Sequence, residues 1–203
     1  MIALIDYGMG NIHSVKKALE ASAGEVLVTS KGADILAADK IVLPGVGAFD
    51  DAMDELDCRG LTAVLKSAAE SGKPLLGICL GMQLLFERSE EAKLRKGLGV
   101  LKGEVKRFPE GSFKVPHIGW NQVRQSNKAL GLFKGVDEGA YFYFCHSYYC
   151  QPKDKSMISA NCDYGLVFAC AVESGNLFGL QFHPEKSQGA GLKIMDNFVR
   201  LCS

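Results

Sequence analysis

Segment 73–87 places a cysteine in a glycine-flanked turn between a strand and a helix. Residues 74–78 form an apolar run typical of a buried strand, and residues 80–87 begin an amphipathic helical pattern. Between them lies Gly77-x-Cys79-x-Gly81, the spacing of a nucleophile elbow with sulfur in place of a serine oxygen. Glycine is needed on both sides because the tight turn leaves no room for a Cβ. This turn restricts the chain to folds in which a buried strand leads directly into a helix.

Cys79 has two interpretations at this point. The turn directs its side chain away from the backbone and sets the sulfur at a helix N-terminus, where unpaired N–H groups and the helix dipole favour a thiolate. A catalytic nucleophile is one interpretation, and a small buried apolar residue, the common role of a reduced cysteine, is the other. The elbow alone would also suit a peptidase, an esterase-like enzyme or a structural turn. The residues that accompany Cys79 therefore decide its role.

The first half of the chain alternates strand and helix patterns. Strands are predicted at 2–6, 26–29, 40–43 and 74–78, and helices at 11–21, 35–38, 48–55, 61–71 and from residue 80. This alternation predicts an α/β fold with an open, mostly parallel central sheet flanked by helices. Short strands follow at 100–101, 105–108, 122–124, 140–145, 157–162, 168–173 and 177–181, before a final helix at 192–201. We expect one domain over residues 1–203, with extra short antiparallel strands in its C-terminal half.

The composition argues against several classes of partner. The chain has 23 basic and 23 acidic residues without a basic patch, so nucleic acid is not expected. No apolar run approaches the length of a membrane span, and the N-terminus lacks the features of a signal peptide. The seven cysteines are irregularly spaced without a Cys-x-x-Cys, which argues against a disulfide framework and a zinc site. We expect a cytoplasmic protein that binds no metal.

A cysteine nucleophile needs a base, and the base needs a group that orients it. Among the four histidines, His183 follows an apolar strand and precedes Pro184, which places it at a strand end. Glu185 lies two residues further on, and residues i and i+2 of an extended stretch point to the same side. A single histidine in this position is often structural. Combined with the elbow, however, the order of Cys79, His183 and Glu185 predicts a catalytic triad.

The same chemistry needs an oxyanion hole. The backbone N–H of Leu80, directly after the nucleophile, would supply one donor. A predicted strand also ends in Pro44-Gly-Val-Gly47, here called the 44–47 loop, whose glycines let the backbone approach a ligand; an ordinary glycine turn is the alternative. A partial dinucleotide-binding loop begins at Asp6, but His13 replaces its third glycine, so no nucleotide cofactor is expected.

Three motifs together resemble the class I, triad-type glutamine amidotransferases: the 44–47 loop, Gly77-Ile-Cys-Leu-Gly-Met-Gln83 and Gln181-Phe-His-Pro-Glu185. Two more, Asp6-Tyr-Gly-Met-Gly-Asn11 and His117-Ile-Gly-Trp-Asn121, resemble the glutaminase subunits of imidazole glycerol phosphate synthase within that class. The resemblance spans nearly the whole chain. It implies a flavodoxin-like fold and the hydrolysis of glutamine to glutamate and ammonia, without a cofactor.

The resemblance also implies roles for individual residues. Cys79 would attack the side-chain amide of glutamine, His183 would protonate the departing ammonia, and Glu185 would orient His183. Backbone N–H groups of Leu80 and of the loop near Val46 and Gly47 would hold the oxyanion. The residues implied to bind the amino-acid end of glutamine are Gln83, Glu91 and the backbone of Ser147 and Tyr148. Gln83 lies at i+4 from Cys79, which suits a shared helix face, although a solvated helix position and a surface charge are the alternatives for Gln83 and Glu91.

The ammonia would pass to a separate (β/α)8-barrel synthase subunit, which forms a heterodimer with this chain. The products would be imidazole glycerol phosphate and an aminoimidazole carboxamide ribotide, in histidine biosynthesis. Four residues match positions at the subunit interface, with an N-cap, two core aromatics and a surface lysine as the respective alternatives: Asn11, Trp120, Tyr143 and Lys186. Cys145, a mild variation within an aromatic strand, is expected to be a small buried side chain.

Two other functions stay open on the sequence. The chain could be the glutaminase of another synthase, such as those that make anthranilate or pyridoxal phosphate. It could also be a catalytically silent module that binds a partner, although the complete triad argues against this. Because the glycines of the 44–47 loop allow a peptide to point either way, we expect low activity without the synthase subunit.

Overall fold

The computed structural model describes residues 1–22, 24–111, 113–126 and 131–200. The strands in these ranges are β1 (Ile2–Ile5), β2 (Val26–Thr29), β3 (Lys40–Leu43), β4 (Leu75–Ile78), β5 (Arg88–Ser89), β6 (Gly103–Arg107), β7 (His117–Gln125), β8 (Tyr141–His146), β9 (Tyr148–Pro152), β10 (Ile158–Asp163), β11 (Val167–Ser174) and β12 (Leu177–Leu180). The helices are α1 (Ile12–Ala21), α2 (Gly32–Ala37), α3 (Phe49–Cys58), α4 (Leu61–Glu70), α5 (Leu80–Leu84) and α6 (Gln188–Arg200). Two 3-10 turns cover Lys155–Met157 and Pro184–Lys186.

One sheet runs through the molecule in the order β2-β1-β3-β4-β12-β11-β10-β7-β8. The strands from β2 to β12 are mutually parallel. From β12 onward each neighbour is antiparallel, and β5, β6 and β9 form a branch attached to β11. The predicted α/β fold, a mostly parallel sheet with short antiparallel strands in the C-terminal half, is confirmed.

The parallel strands are buried on both faces. In β1 every residue is buried, and its side chains alternate between two apolar clusters because successive residues of a strand point to opposite faces. Ala3 and Ile5 join the cluster that contains α3 and α4, while Leu4 joins the one that contains α1 and α6. The sheet is therefore flanked by helices on both sides, and its strand ends are free to carry a site.

The region after β4 differs from the prediction. Helix α5 ends at Leu84 rather than continuing to residue 87. Carbonyl groups of residues 84–86 accept hydrogen bonds from the backbone of Leu98, Gly99 and Leu101, so the returning chain replaces the next helical turn. Leu101 takes part in these bonds, and the strand predicted at residues 100–101 is absent. The short strands β5 and β9 were not predicted, and Leu201, the last residue of the predicted final helix, lies outside the described residues.

Within the described part of the chain, no helix combines the length and apolar character needed to cross a membrane. Six cysteines fall among the described residues, and all six are free thiols. Cys202 lies outside those residues.

Candidate active site

The elbow between β4 and α5 holds Cys79 in a strained backbone conformation. Cys79 has φ 54° and ψ −112°, which is unusual for a residue with a side chain. A Cβ on Gly77 would lie 2.6 Å from the Gly81 carbonyl oxygen, and one on Gly81 would overlap the carbonyl of Leu43. Only glycine fits at either position, as the sequence predicts. The turn sets the buried Cys79 side chain directly before the first residue of α5.

His183 and Glu185 form a buried pair beside this turn. His183 Nδ1 lies 2.9 Å from Glu185 Oε1, and the exposed fractions of the two side chains are 4% and 1%. The expectation that residues 183 and 185 share one side of an extended stretch was wrong, because residues 184–186 form a 3-10 turn. The turn is held by the Ser187 hydroxyl, which donates to the His183 carbonyl at 2.6 Å. Glu185 therefore reaches the imidazole because the chain curls back immediately after Pro184.

The surroundings of His183 favour its protonated form. Burial alone would lower the pKa of this imidazole. Hydrogen bonds to Cys79 and Glu185, together with their negative charges, outweigh burial and raise the His183 pKa to about 10. A histidine that holds a proton beside the sulfur can give it to a departing amine, as a general acid must.

The predicted site residues meet in one cavity of about 300 Å³. Its wall contains the nucleophile and its base, the two segments expected to hold the oxyanion, and every residue expected to bind substrate: Cys79, His183, Leu80, Val46, Gly47, Gln83, Glu91, Ser147 and Tyr148. Glu185 lies behind His183. Gly47 has φ +106°, and Val46 is 43% exposed. The cavity thus brings together all of these positions, while their roles stay predictions.

Gln83 and Glu91 lie at the cavity for different structural reasons. Gln83 is only 4% exposed, so the alternative of a solvated helix position is wrong. Glu91 accepts a hydrogen bond from the backbone N–H of Phe49, the first residue of α3. Burial raises the pKa of Glu91; the bond from Phe49 opposes this shift and the charges of the nearby Asp50 and Asp51 add to it. A half-buried carboxyl in this position suits an ammonium group as its partner.

Two features near the thiol were not foreseen. Gln181 is fully buried, and its Nε2 lies 3.8 Å from Cys79 Sγ. Its place two residues before His183 was visible in the sequence, but the contact with sulfur was not. Cys145 is exposed rather than buried, which corrects the expectation of a small buried side chain. The inward positions of β8 belong to Phe142, Phe144 and His146, so strand alternation turns Cys145 outward.

The four predicted interface residues have clear local environments. Asn11 caps α1 by accepting a hydrogen bond from the Ser14 N–H at 3.3 Å. Trp120 is 46% exposed, so the alternative of a core aromatic is wrong for it, and its ring packs edge-on against Tyr143 at 6.2 Å. Lys186 places its Nζ 5.6 Å from the centroid of the Tyr143 ring. Their role at an interface stays a prediction.

Among the described residues, no three His, Cys, Asp or Glu side chains are grouped so that they could hold a metal ion.

Comparison with known proteins assigns the family. Residues 3–202 match the class-I glutamine amidotransferase family. The imidazole glycerol phosphate synthase subunit HisH of Moorella thermoacetica is 53% identical over 200 residues, which are 98% of this chain and 94% of that protein. The HisH subunit of Rhodopirellula baltica is 50% identical, covering 98% of this chain and 97% of its own length.

Solved structures agree at the level of the fold. A crystal structure of a glutamine amidotransferase superposes with a TM-score of 0.78 at 17% identity, covering 99% of this chain and 100% of that one. The PurLQS structure from Thermotoga maritima gives a TM-score of 0.70 at 22% identity, covering 98% and 96%. Together with the sequence relatives, this shows that the chain belongs to the class-I glutamine amidotransferases and, within them, to the family of HisH subunits of imidazole glycerol phosphate synthase.

Proposed function

We propose that this chain is a single-domain, cytoplasmic glutaminase that passes ammonia to a (β/α)8-barrel synthase subunit, with which it forms a heterodimer. The complex would make imidazole glycerol phosphate and an aminoimidazole carboxamide ribotide in histidine biosynthesis. One observation carries the proposal: the cavity that contains the Cys79 thiol and the His183 imidazole is also lined by Gln83 and Glu91. The same cavity thus offers a thiol for attack on an amide and a carboxylate for an amino acid's ammonium group.

The reaction follows from the groups that line the cavity. The Cys79 sulfur attacks the side-chain carbonyl carbon of glutamine, and the new C–S bond gives a tetrahedral intermediate with a negative oxygen. Backbone N–H groups of Leu80 and of the 44–47 loop stabilise that oxygen. The C–N bond then breaks, and His183 gives its proton to the departing ammonia while Glu185 holds the ring. Water hydrolyses the thioester, which releases glutamate and restores the thiol.

The opposite wall of the cavity would bind the amino-acid end of glutamine. The Glu91 carboxylate would pair with the substrate's ammonium group, and the backbone at Ser147 and Tyr148 would bind its carboxylate. Gln83 lines the same cavity, and its amide donates to the Tyr148 carbonyl at 3.1 Å. This placement selects an amino acid whose amide can reach the sulfur.

An exposed apolar patch supports the proposal that this chain binds a partner subunit. Ile118, Trp120 and Tyr141, on the neighbouring strands β7 and β8, are 59%, 46% and 55% exposed. Exposed apolar patches of this kind are typical of protein–protein contacts. Lys186 lies beside this patch, one residue after Glu185, so a subunit bound there would lie next to the source of ammonia. The relatives' name, a subunit of imidazole glycerol phosphate synthase, supports a further synthase subunit as the partner.

The proposal is tested by replacing Cys79 with Ala in the complex with the synthase subunit. Glutamine-dependent product formation is expected to fall at least about 10⁴-fold, since the nucleophile is gone. Activity with added ammonia is expected to be unchanged, because ammonia then reaches the synthase without the thiol. Cys58→Ala, at an exposed cysteine on α3, is the matched control and should leave both activities unchanged. Glutamine turnover retained in Cys79→Ala would refute the proposal.

Two further measurements separate the alternatives. Glutamate release in mixtures with synthases that make anthranilate or pyridoxal phosphate should stay at the level of the chain alone. Labelling of Cys79 by an electrophilic glutamine analogue in the presence of the histidine-pathway synthase should succeed, whereas a silent binding module would remain unlabelled.

A further inference from the structure

Two buried histidines, His117 and His146, take no part in the proposed triad. They are direct register partners on β7 and β8. Only 2% of His117 and 6% of His146 is exposed, and His117 Nδ1 lies 3.0 Å from His146 Nε2. His146 also lines the cavity that contains Cys79. The pair therefore connects the β7–β8 ribbon to the active site.

The neighbours of the pair determine which ring nitrogens carry hydrogen. His146 Nδ1 lies 2.7 Å from the Tyr148 carbonyl oxygen, which can only accept, so Nδ1 is the donor. In a neutral ring, His146 Nε2 then accepts from His117 Nδ1. His117 Nε2 in turn accepts from Asn121 Nδ2 at 3.3 Å, and the same amide donates to the Asp163 carbonyl at 2.9 Å. Both histidines are therefore Nδ1–H tautomers.

The packing around the rings keeps them neutral. The His117 ring is stacked between Phe144 at 4.7 Å and Tyr164 at 3.9 Å. Burial lowers the pKa of His117 to about 4. Burial likewise lowers the pKa of His146 to about 3; its bond to Tyr148 opposes this shift, and His117 and His183 add to it. A proton on His146 Nε2 would face the His117 Nδ1–H, and a proton on His117 Nε2 would face the Asn121 amide N–H, so either proton would break one hydrogen bond.

The chain of hydrogen bonds continues to the thiol. The Tyr148 carbonyl that accepts from His146 also accepts from Gln83 Nε2 at 3.1 Å. The second hydrogen of that amide is directed at Gln181 Oε1, also at 3.1 Å. Gln181 Nε2 then lies 3.8 Å from Cys79 Sγ. The Tyr148 carbonyl thus links the histidine pair to the Cys79 thiol through the amides of Gln83 and Gln181.

We propose that His117 and His146 are positioning residues for glutamine binding. As neutral Nδ1–H tautomers they hold the Tyr148 carbonyl in place, and through it they hold the Gln83 carboxamide that faces the substrate. This inference rests on the proposed function, because it assigns Gln83 and the Tyr148 backbone to the amino-acid end of glutamine. Neither histidine belongs to the proposed triad or to the residues expected to bind the amino-acid end of glutamine.

The tautomers can be observed directly. In the complex with the synthase subunit, long-range ¹H–¹⁵N spectra of the ¹⁵N-histidine-labelled chain are expected to show Nδ1 protonated and Nε2 unprotonated in both rings, from about pH 6 to 8. The variants His117→Gln and His146→Gln assign the signals among the four histidines. An Nε2–H tautomer in either ring, or titration of either ring in this range, would overturn the proposal. The tautomers themselves are read from the spectrum of the unmodified sequence, and the variants serve only to assign the signals.

A matched pair of substitutions tests the role in binding. Asn at position 146 places an amide donor near the site of Nδ1, whereas Gln places its amide near the site of Nε2. His146→Gln, which loses the bond to Tyr148, is expected to raise the KM for glutamine about five- to tenfold and to change kcat less than about twofold. His146→Asn is expected to raise KM less than about twofold. Ammonia-dependent activity should be unchanged in both.

Equal KM values in His146→Gln and the unmodified protein, or equal increases in the two variants, would refute the positioning role. Cys79→Ala in the same assay separates this failure from failure of the proposed function. If the unmodified complex hydrolyses glutamine and Cys79→Ala does not, the glutaminase stands whatever the variants at position 146 show.

Discussion

The elbow (residues 77–81) and the 44–47 loop face the same cavity but are packed in opposite ways. Every residue of the elbow is buried, and its two glycines contact neighbouring backbone so closely that no side chain fits. In the 44–47 loop only Pro44 and Gly45 are buried, while Val46 and Gly47 are exposed. The nucleophile is thus fixed by the core. The proposed oxyanion donor of the 44–47 loop lies instead on an exposed segment, which core packing does not hold in one conformation.

The largest effect is expected from breaking the packing of the elbow. In Gly81→Ala the new methyl group would overlap the Leu43 carbonyl, and neither backbone can move without disturbing β3 or α5. We expect the free energy of unfolding to fall by about 3 kcal/mol or more, measured by urea denaturation. Glutamine-dependent activity should be lost as well.

Gly189→Ala is the control for this substitution. Gly189 lies in α6 with no atom within 4 Å of an added Cβ, and alanine favours a helix. The free energy of unfolding should stay the same or rise by up to about 1 kcal/mol. A Gly81→Ala protein as stable as Gly189→Ala would show that the elbow is not rigid.

A smaller effect, on activity rather than folding, is expected in the 44–47 loop. Gly47 has φ +106°, and an added Cβ would meet only the flexible end of Met9 at 2.8 Å. Gly47→Ala should therefore fold, at a cost of about 1–3 kcal/mol. It should lower glutamine-dependent kcat of the complex about 10²-fold, the usual result of losing one oxyanion donor, and leave ammonia-dependent kcat unchanged. An unchanged kcat with glutamine would remove the loop from the oxyanion hole.

The smallest effect is expected from removing the hydrogen bond that anchors the 44–47 loop at Pro44. The fully buried Tyr7 hydroxyl donates to the Pro44 carbonyl at 2.9 Å. Burial, and then the charge of Cys79, raise the Tyr7 pKa well above its ordinary value, so the hydroxyl stays a donor. Tyr7→Phe should lower the free energy of unfolding by about 1 kcal/mol and kcat with glutamine about threefold. A loss of kcat as large as in Gly47→Ala would mean that the bond at Pro44, rather than the conformation at Gly47, determines the position of the loop.

The sequence predicts the fixed part of the site better than its details. The glycines at 77 and 81, and the strand before them, determine the elbow because steric exclusion is local. The residues at the cavity wall follow from the resemblance and from the parallel sheet, which collects strand ends at one edge. Local patterns therefore predict the elbow, whereas the set of residues expected to meet in the cavity is implied mainly by the family resemblance.

The contacts within the cavity depend on parts of the chain that are distant in sequence. The carboxamide of Gln181 is oriented by Gln83, which is itself fixed by a carbonyl on β9, and no spacing rule links these three. The 3-10 turn after His183 depends on Ser187 and on the packing of α6. Cys145 was assigned to the wrong side of β8, although the alternation of Phe142, Phe144 and His146 contained the answer.

The close contact between Gly81 and Leu43 has a mechanical consequence. The root of the 44–47 loop and the first turn of α5 touch backbone to backbone, so bending of the sheet carries both along together. Such common motion leaves the distance between the sulfur and the loop unchanged. Torsions inside the loop, and rotation of the Cys79 side chain, alter that distance. A change in the geometry of this site between sulfur and loop therefore needs rotation about only a few bonds.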